Sequence, residues 1–116
     1  MAKERFQNIN VNGLSYKLKL TTPNNPELGK DARGIIHYEK LKIFLDKNIA
    51  EELRVKTLYH ELAHAFCEST SFNNMLMDKF GNDSYEIFID KLGEVIEKFI
   101  HENNIDVIEN FVKKEG

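Results

Sequence analysis

The stretch TLYHELAHAF, residues 57–66, carries the pattern H-E-x-x-H at its centre. On an α-helix, His60 and His64 lie one turn apart on the same face, so both imidazoles can reach one metal ion. Glu61 sits about 100° further round the helix, where its carboxylate can face a metal-bound water. Two nitrogen ligands, a base and an open position are most of a hydrolytic zinc site. The stretch predicts a zinc-binding helix, and the alternative is a chance spacing of two ordinary histidines.

Composition and charge indicate a single folded domain over residues 1–116. Hydrophobic residues make up 41% and charged residues 30% of the chain, which is typical of a globular protein. The formal net charge is −3 and the basic residues form no block, so neither a nucleic-acid nor a membrane-surface partner is expected. No apolar run approaches the length that spans a bilayer.

The cysteine content and the first residues favour a cytoplasmic location. Residues 1–8 have no apolar core, so a secretory signal is not expected there. Cys67 is the single cysteine, which excludes an internal disulfide and fits a reducing compartment. Because no separate base is indicated for a catalytic thiol, Cys67 is interpreted as a small packing residue beneath the site.

The first third of the chain predicts two β-hairpins. Apolar and polar residues alternate on both sides of Asn12-Gly13, a dipeptide that favours the type I′ hairpin turn. Thr21 to Arg33 holds both prolines and is predicted to be a loop. The predicted strands are residues 9–11, 14–20, 34–38 and 41–45.

From Asn48 onward the apolar spacing has the period of a helix. Asn48 and Glu51 are placed like a capping box, which predicts a helix from there to about Glu68. His60 and His64 point nearly opposite to its apolar stripe, so a second element must cover them. The stripe consists of Val55, Leu58, Tyr59, Leu62 and Phe66.

Three further helices are predicted, at 72–80, 84–102 and 105–113. Gly81 is expected to end the first and Asn103-Asn104 the second. The fold class that follows is α+β: a small antiparallel or mixed sheet packed on the 48–68 helix and a long C-terminal helix. The apolar stripes are Tyr85, Phe88, Ile89, Leu92, Ile96 and Phe99 on the long helix, and Ile105, Ile108, Phe111 and Val112 on the last.

A zinc site of this kind needs a third protein ligand. Glu86 is favoured, because it lies at the edge of the long helix's apolar stripe, where that helix meets its neighbour. Gly93, two turns further on nearly the same line, would let another backbone approach closely. Two alternatives remain open: Asp90 or another acid as the ligand, and a capping-box role for Glu86 within Asp83–Glu86.

The other downstream donors are weaker ligand candidates. Cys67 and Glu68 lie within a turn of His64 on the same helix, and a tetrahedral site is more easily closed from another element. Glu94 and Glu97 are expected to be solvated charges, and so is His101 at the end of the long helix.

Residues 34–38, 42–46 and 57–66 together resemble the ImmA/IrrE-like metallopeptidases, especially the short versions carried by bacteriophages and mobile elements. The resemblance extends from about Ile9 to Asn103. It implies a minimal zincin-like fold of the gluzincin type. In larger members an acid precedes the motif A-N-x-F-A, and that register matches Glu86, with Asp90 and Gly93 as departures. Activities known in the family include cleavage of repressor proteins, so a transcriptional repressor is one candidate substrate.

The mechanism expected from these residues is zinc-assisted peptide hydrolysis. His60, His64 and Glu86 would hold Zn²⁺, and Glu61 would move the proton. An extended substrate is expected to pair with the edge of the strand at 41–45, and His37 or Tyr38 is a candidate to stabilise the oxyanion. The alternatives are a zinc-binding regulatory module without protease activity and a metal-free structural domain. The sequence names neither the protein or peptide substrate nor the oligomeric state.

Overall fold

The computed structural model describes residues 5–103 and 107–114, and within them it has four strands and three helices. The predicted α+β class is confirmed. The strands are β1 (Gln7–Val11), β2 (Leu14–Thr21), β3 (Gly34–His37) and β4 (Lys42–Asp46). The helices are α1 (Glu51–Ser69), α2 (Phe72–Glu102) and α3 (Val107–Lys114).

The sheet has the order β1-β2-β4-β3 and is mixed. β1–β2 and β3–β4 are antiparallel hairpins, as predicted, and β2 pairs with β4 in parallel. Asn12 and Gly13 have φ angles of 49° and 85°, the positive values that a type I′ turn needs. β4 is therefore an inner strand, so the expectation that the strand at 41–45 offers a free edge is wrong; the edge on that side belongs to β3.

Helix α1 covers one face of the sheet. Leu18, Ile43 and Leu45 alternate towards it and are fully buried, together with Leu58 of the helix. The opposite face is covered in part by the loop between β2 and β3, whose Leu28 is fully buried. Helix α1 therefore lies in the interior of the domain. Each buried leucine between the helix and the sheet contributes about 2 kcal/mol, and together these residues hold the helix in one orientation.

Two details of α1 differ from the predictions. Its N-cap is Ala50, whose side chain has no hydrogen-bond acceptor, and Asn48 lies in a turn before the helix, where its backbone N–H bonds Asp46 Oδ1 at 2.8 Å. The Asn48–Glu51 capping box is therefore wrong. Phe66 is 37% exposed, and Ala65 takes the buried position. The other four stripe residues, Val55, Leu58, Tyr59 and Leu62, are buried as predicted, so only the last position of the stripe differs.

Helix α2 is bent at Gly81, whose φ of 80° and ψ of 175° lie outside the helical range. The predicted break between two helical segments is thus confirmed. The second segment crosses α1 at Gly93, where an added Cβ would lie 3.1 Å from the carbonyl oxygen of Tyr59. The predicted close approach is confirmed, and it places the histidine face of α1 directly against α2.

The end of the chain packs back onto α1 through Val112, which is fully buried. Phe99 is 55% exposed, so its predicted place in the core is wrong, and Ile100 packs there instead. Ile105 lies outside the described residues. No helix within the described ranges is long and apolar enough to cross a membrane.

Replacing Gly93 with alanine tests the helix crossing. Alanine gains about 1 kcal/mol of helix propensity, but its Cβ would press on the backbone of Tyr59 and His60, and overpacking costs about 1–3 kcal/mol. We expect a net loss of about 1 kcal/mol in the free energy of unfolding, measured by urea denaturation. Val95→Ala, at an exposed position of the same helix, is the control, and a Gly93→Ala protein more stable than wild type would contradict the tight crossing.

Candidate metal centre

Helices α1 and α2 bring the three predicted ligands together. The Nε2 atoms of His60 and His64 are 3.2 Å apart. The carboxylate of Glu86 faces both, with Oε2 3.9 Å from Nε2 of His60 and Oε1 3.7 Å from Nε2 of His64. Zinc bonds of about 2.1 Å in tetrahedral geometry place donor atoms about 3.4 Å apart. The observed spacing and the two-nitrogen, one-oxygen donor set could therefore hold a metal ion.

Each imidazole makes a hydrogen bond through Nδ1, the ring nitrogen on the side away from the other histidine. Nδ1 of His60 lies 2.8 Å from Oδ1 of Asp90, and Nδ1 of His64 lies 2.8 Å from the hydroxyl of Tyr85. Because a carboxylate only accepts, His60 donates its Nδ1 proton to Asp90. A neutral imidazole protonated at Nδ1 presents a lone pair at Nε2, which is the form that binds a metal.

The two Nε2 atoms form an arrangement that favours a cation between them. The bond to Asp90 leaves Nε2 of His60 without a proton, so this atom can accept a hydrogen bond from Nε2 of His64 at 3.2 Å or, where His64 also carries its proton on Nδ1, share a cation with it. Burial, followed by the charge of His60, lowers the pKa of His64 to about 4. His64 is therefore neutral at neutral pH, and its Nε2 can bind a metal ion when the imidazole proton lies on Nδ1.

Asp90 and Glu86 therefore have different positions in the site. Asp90 lies behind His60, on the side away from the shared space, so the geometry favours it as an orienting group and not as the third ligand. Glu86 is half exposed and directed at the imidazoles, and not at a helix end. Its position supports the ligand assignment over the capping role.

Glu61 is buried, with 7% of its surface exposed, next to these donors. Burial raises its pKa to about 7; the charge of His60 acts in the opposite direction, and that of Glu86 raises it further. A carboxyl group with a pKa near neutrality can both take up and release a proton at physiological pH. This is the property that a general base needs.

A cleft of about 450 Å³ runs beside the site, and its lining includes His60 and Glu61. One wall is the start of β3 and the other is α1, which touch where Thr57 packs against Gly34. The loop before β3 contributes Arg33, a residue that belongs to no recognisable motif and could not be selected from the sequence. The cleft is lined by Asp31, Arg33, Gly34, Leu53, Lys56, Thr57, His60, Glu61 and Asp90.

His37 and Tyr38, the two candidates for stabilising the oxyanion, point in opposite directions. Strand alternation turns His37 to the sheet face away from α1, where it bonds the carbonyl of Glu27 at 2.7 Å and packs edge-on against Phe44. Burial raises the pKa of Tyr38 to about 12; a hydrogen bond with Asn73 lowers it, and nearby carboxylates, Glu61 among them, raise it. Of the two candidates, Tyr38 is the one in the neighbourhood of the site.

The remaining donors take structural roles. Cys67 is 2% exposed, burial raises the pKa of its thiol, and it packs in a cluster with Ala63, Leu76, Tyr85 and Ile89, as predicted. Glu94 is an exposed charge that pairs with Lys91, whereas Glu97 is only partly exposed and lies 3.9 Å from His101.

His101 is half exposed, as expected for a solvated histidine, but it also has a partner that the sequence did not predict. Its Nε2 lies 2.6 Å from the carboxylate of Glu109, which also accepts from Tyr59 at 2.7 Å and pairs with Lys113 at 3.1 Å. Burial raises the pKa of Glu109, but these hydrogen bonds outweigh it and hold the pKa below the usual value. The interaction could not be found from the helix period alone, because Glu109 arrives from α3.

Comparisons with protein-family models, with curated proteins and with solved structures find no match for this chain.

Single substitutions at Glu86 and Asp90 test their different positions. Glu86→Gln removes the negative ligand, and we expect zinc affinity to fall about 100-fold or more. Asp90→Asn keeps an oxygen that accepts the hydrogen bond from His60. We therefore expect zinc affinity to fall only about tenfold, the smallest effect usual for residues that orient a metal ligand. Competition with a chromophoric chelator measures both, and Glu94→Gln is the matched control on the same helix. An equal or larger loss for Asp90→Asn would reverse the assignment.

Proposed function

We propose that this protein is a zinc metallopeptidase, of the ImmA/IrrE-like kind that its sequence resembles. The observation that carries the proposal is the convergence of two Nε2 atoms and one carboxylate, within 4.8 Å of one another, beside an open cleft with a buried glutamate. His60, His64 and Glu86 are the ligands. When bound, Zn²⁺ supplies Lewis-acid activation of water and of the scissile carbonyl.

Glu61 performs the proton transfers in this proposal. Its pKa of about 7 lets it take a proton from the attacking water and return it to the leaving amine. Glu61 is not among the metal-facing groups, so binding and proton transfer belong to different residues.

An extended peptide substrate would bind along the free edge of β3. The backbone N–H of Asp46 bonds the carbonyl of Arg33 at 2.8 Å, so in this antiparallel pair the alternate residues Gly34 and Ile36 direct their backbone groups outward. These groups lie beside the cleft, and strand addition at this edge would align a substrate with the metal. Tyr38 follows β3 on the α1 side, near Glu61, and in this proposal it is the candidate that contacts the substrate carbonyl.

The substrate class in this proposal is a protein, with a transcriptional repressor as the first candidate. The resemblance to the ImmA/IrrE-like family supports it. A cytoplasmic location also belongs to the proposal, supported by the single, buried cysteine. The alternative function is a zinc-binding regulatory module. Because Glu61 is not one of the proposed ligands, it can be replaced without removing a ligand, and the two functions can be distinguished by experiment.

Replacing Glu61 with glutamine separates these two functions. Glutamine keeps the size of the side chain but cannot take up the proton, so we expect zinc content to remain at one equivalent and cleavage to fall by about 10²- to 10⁴-fold. The assay combines metal analysis with cleavage of a peptide library and of candidate repressors. Glu52→Gln, on the exposed start of α1, is the control.

Two outcomes would contradict the peptidase. Cleavage by Glu61→Gln at the wild-type rate would exclude Glu61 as the base. Wild-type protein with stoichiometric zinc that cleaves no member of the library would support the regulatory module instead.

A further inference from the structure

We propose that Tyr85 and Asn73 are positioning residues that, through a relay anchored on Glu68, hold His64 in the tautomer whose Nε2 is free to bind a metal. The relay runs from His64 to Tyr85, then to Asn73, and ends on Glu68. It deepens the proposed function, because it rests on His64 as a ligand.

The carboxylate of Glu68 sets the direction of the relay. A carboxylate only accepts hydrogen bonds, so the group of Asn73 that faces it at 3.1 Å is the donor Nδ2. The other amide atom, Oδ1, then faces the hydroxyl of Tyr85 at 2.5 Å. Because Oδ1 has no proton, Tyr85 must donate this bond.

The direction of the hydrogen bond from Tyr85 to Asn73 determines which nitrogen of His64 carries the proton. The hydroxyl has a single proton, and that proton is used on Asn73. Its oxygen can therefore only accept from Nδ1 of His64, which lies 2.8 Å away. The proton of the imidazole is thereby held on Nδ1, and the lone pair of Nε2 points at His60 and Glu86.

The two ligand histidines are thus oriented by carboxylates in different ways. His60 contacts Asp90 directly, and the side chain of Asp90 is 67% exposed. His64 reaches its carboxylate through Tyr85 and Asn73, which are only 6% and 7% exposed. Water can replace a lost partner at Asp90, but not within the buried relay, where an unmade hydrogen bond is costly and neighbouring bonds strengthen one another.

The relay also gives a role to the bent shape of α2. Asn73 lies before the bend at Gly81 and Tyr85 lies after it, so the relay connects the two segments of the helix. The short segment at 72–80 exposes Met75, Met77 and Phe80 and buries little. Its role is to present Asn73 to the metal site.

A double-mutant cycle tests the relay. Tyr85→Phe removes only the hydroxyl, and we expect zinc affinity to fall by about 10- to 100-fold, more than for Asp90→Asn. Asn73→Ala should give a similar loss. Because the bonds act in series, the double variant should lose no more than about threefold beyond Tyr85→Phe, whereas two independent effects would multiply. Tyr59→Phe is the control: it also removes a buried, hydrogen-bonded hydroxyl, and it should leave zinc affinity unchanged.

A second measurement distinguishes failure of the relay from failure of the proposed function. Long-range ¹H–¹⁵N spectra of the metal-free protein at neutral pH report which nitrogen of His64 carries the proton. We expect Nδ1–H in the wild type and a mixture of tautomers in Tyr85→Phe. The tautomer measurement does not need bound zinc. A wild type that binds no zinc would therefore refute the metal site and leave the relay untouched. An Nε2–H tautomer in the wild type, an unchanged tautomer in Tyr85→Phe, or multiplicative losses in the cycle would each overturn the relay.

Discussion

The proposed metal site depends on two imidazole nitrogens, Nε2 of His60 and Nε2 of His64, that face each other at 3.2 Å. In our proposal each ring carries its proton on Nδ1, on the far side from this contact. With both protons on Nδ1, such a pair is unfavourable by itself, because the two lone pairs repel. It persists because Asp90 and Tyr85 hold the rings from behind and because α1 cannot turn within its packed surroundings. The unfavourable contact becomes favourable when a cation lies between the nitrogens, with Glu86 to balance its charge.

The fold supplies the rigidity that this arrangement needs. Helix α1 lies between the sheet and α2, and the leucines on its sheet side fix its rotation. On the other side, Gly93 allows the backbones of the two helices to approach closely, which brings Glu86 within reach of both histidines. The mixed sheet places the free edge of β3 alongside the same helix, so the cleft and the metal-facing atoms share one wall.

Local features of the site could be predicted from the sequence. The one-turn spacing of His60 and His64 follows from helix geometry alone, and so does the conclusion that both point away from the apolar stripe. The close approach at Gly93 and the break at Gly81 were likewise predictable, because glycine has no Cβ to obstruct a neighbouring backbone and readily adopts a positive φ. These features depend on the residue and its neighbours in the chain, and not on the tertiary arrangement.

What could not be predicted depends on contacts between distant segments. The free edge belongs to β3 because β2 pairs in parallel with β4, a choice that strand patterns do not express. Asp90 reaches Nδ1 of His60 from another helix, 30 residues further along the chain, and the sequence does not show that contact. The relay through Tyr85 and Asn73 was hidden because a tyrosine in an apolar stripe is indistinguishable from a core residue until its hydroxyl partner is known.

X-ray absorption at the zinc edge, on protein loaded with one equivalent of Zn²⁺, measures the metal environment directly. The expected first shell contains two imidazoles and oxygen donors, at about 2.0–2.2 Å, with no sulfur. A sulfur neighbour at about 2.3 Å, which would have to come from Cys67, or a shell with fewer than two imidazoles, would contradict the assignment of His60, His64 and Glu86.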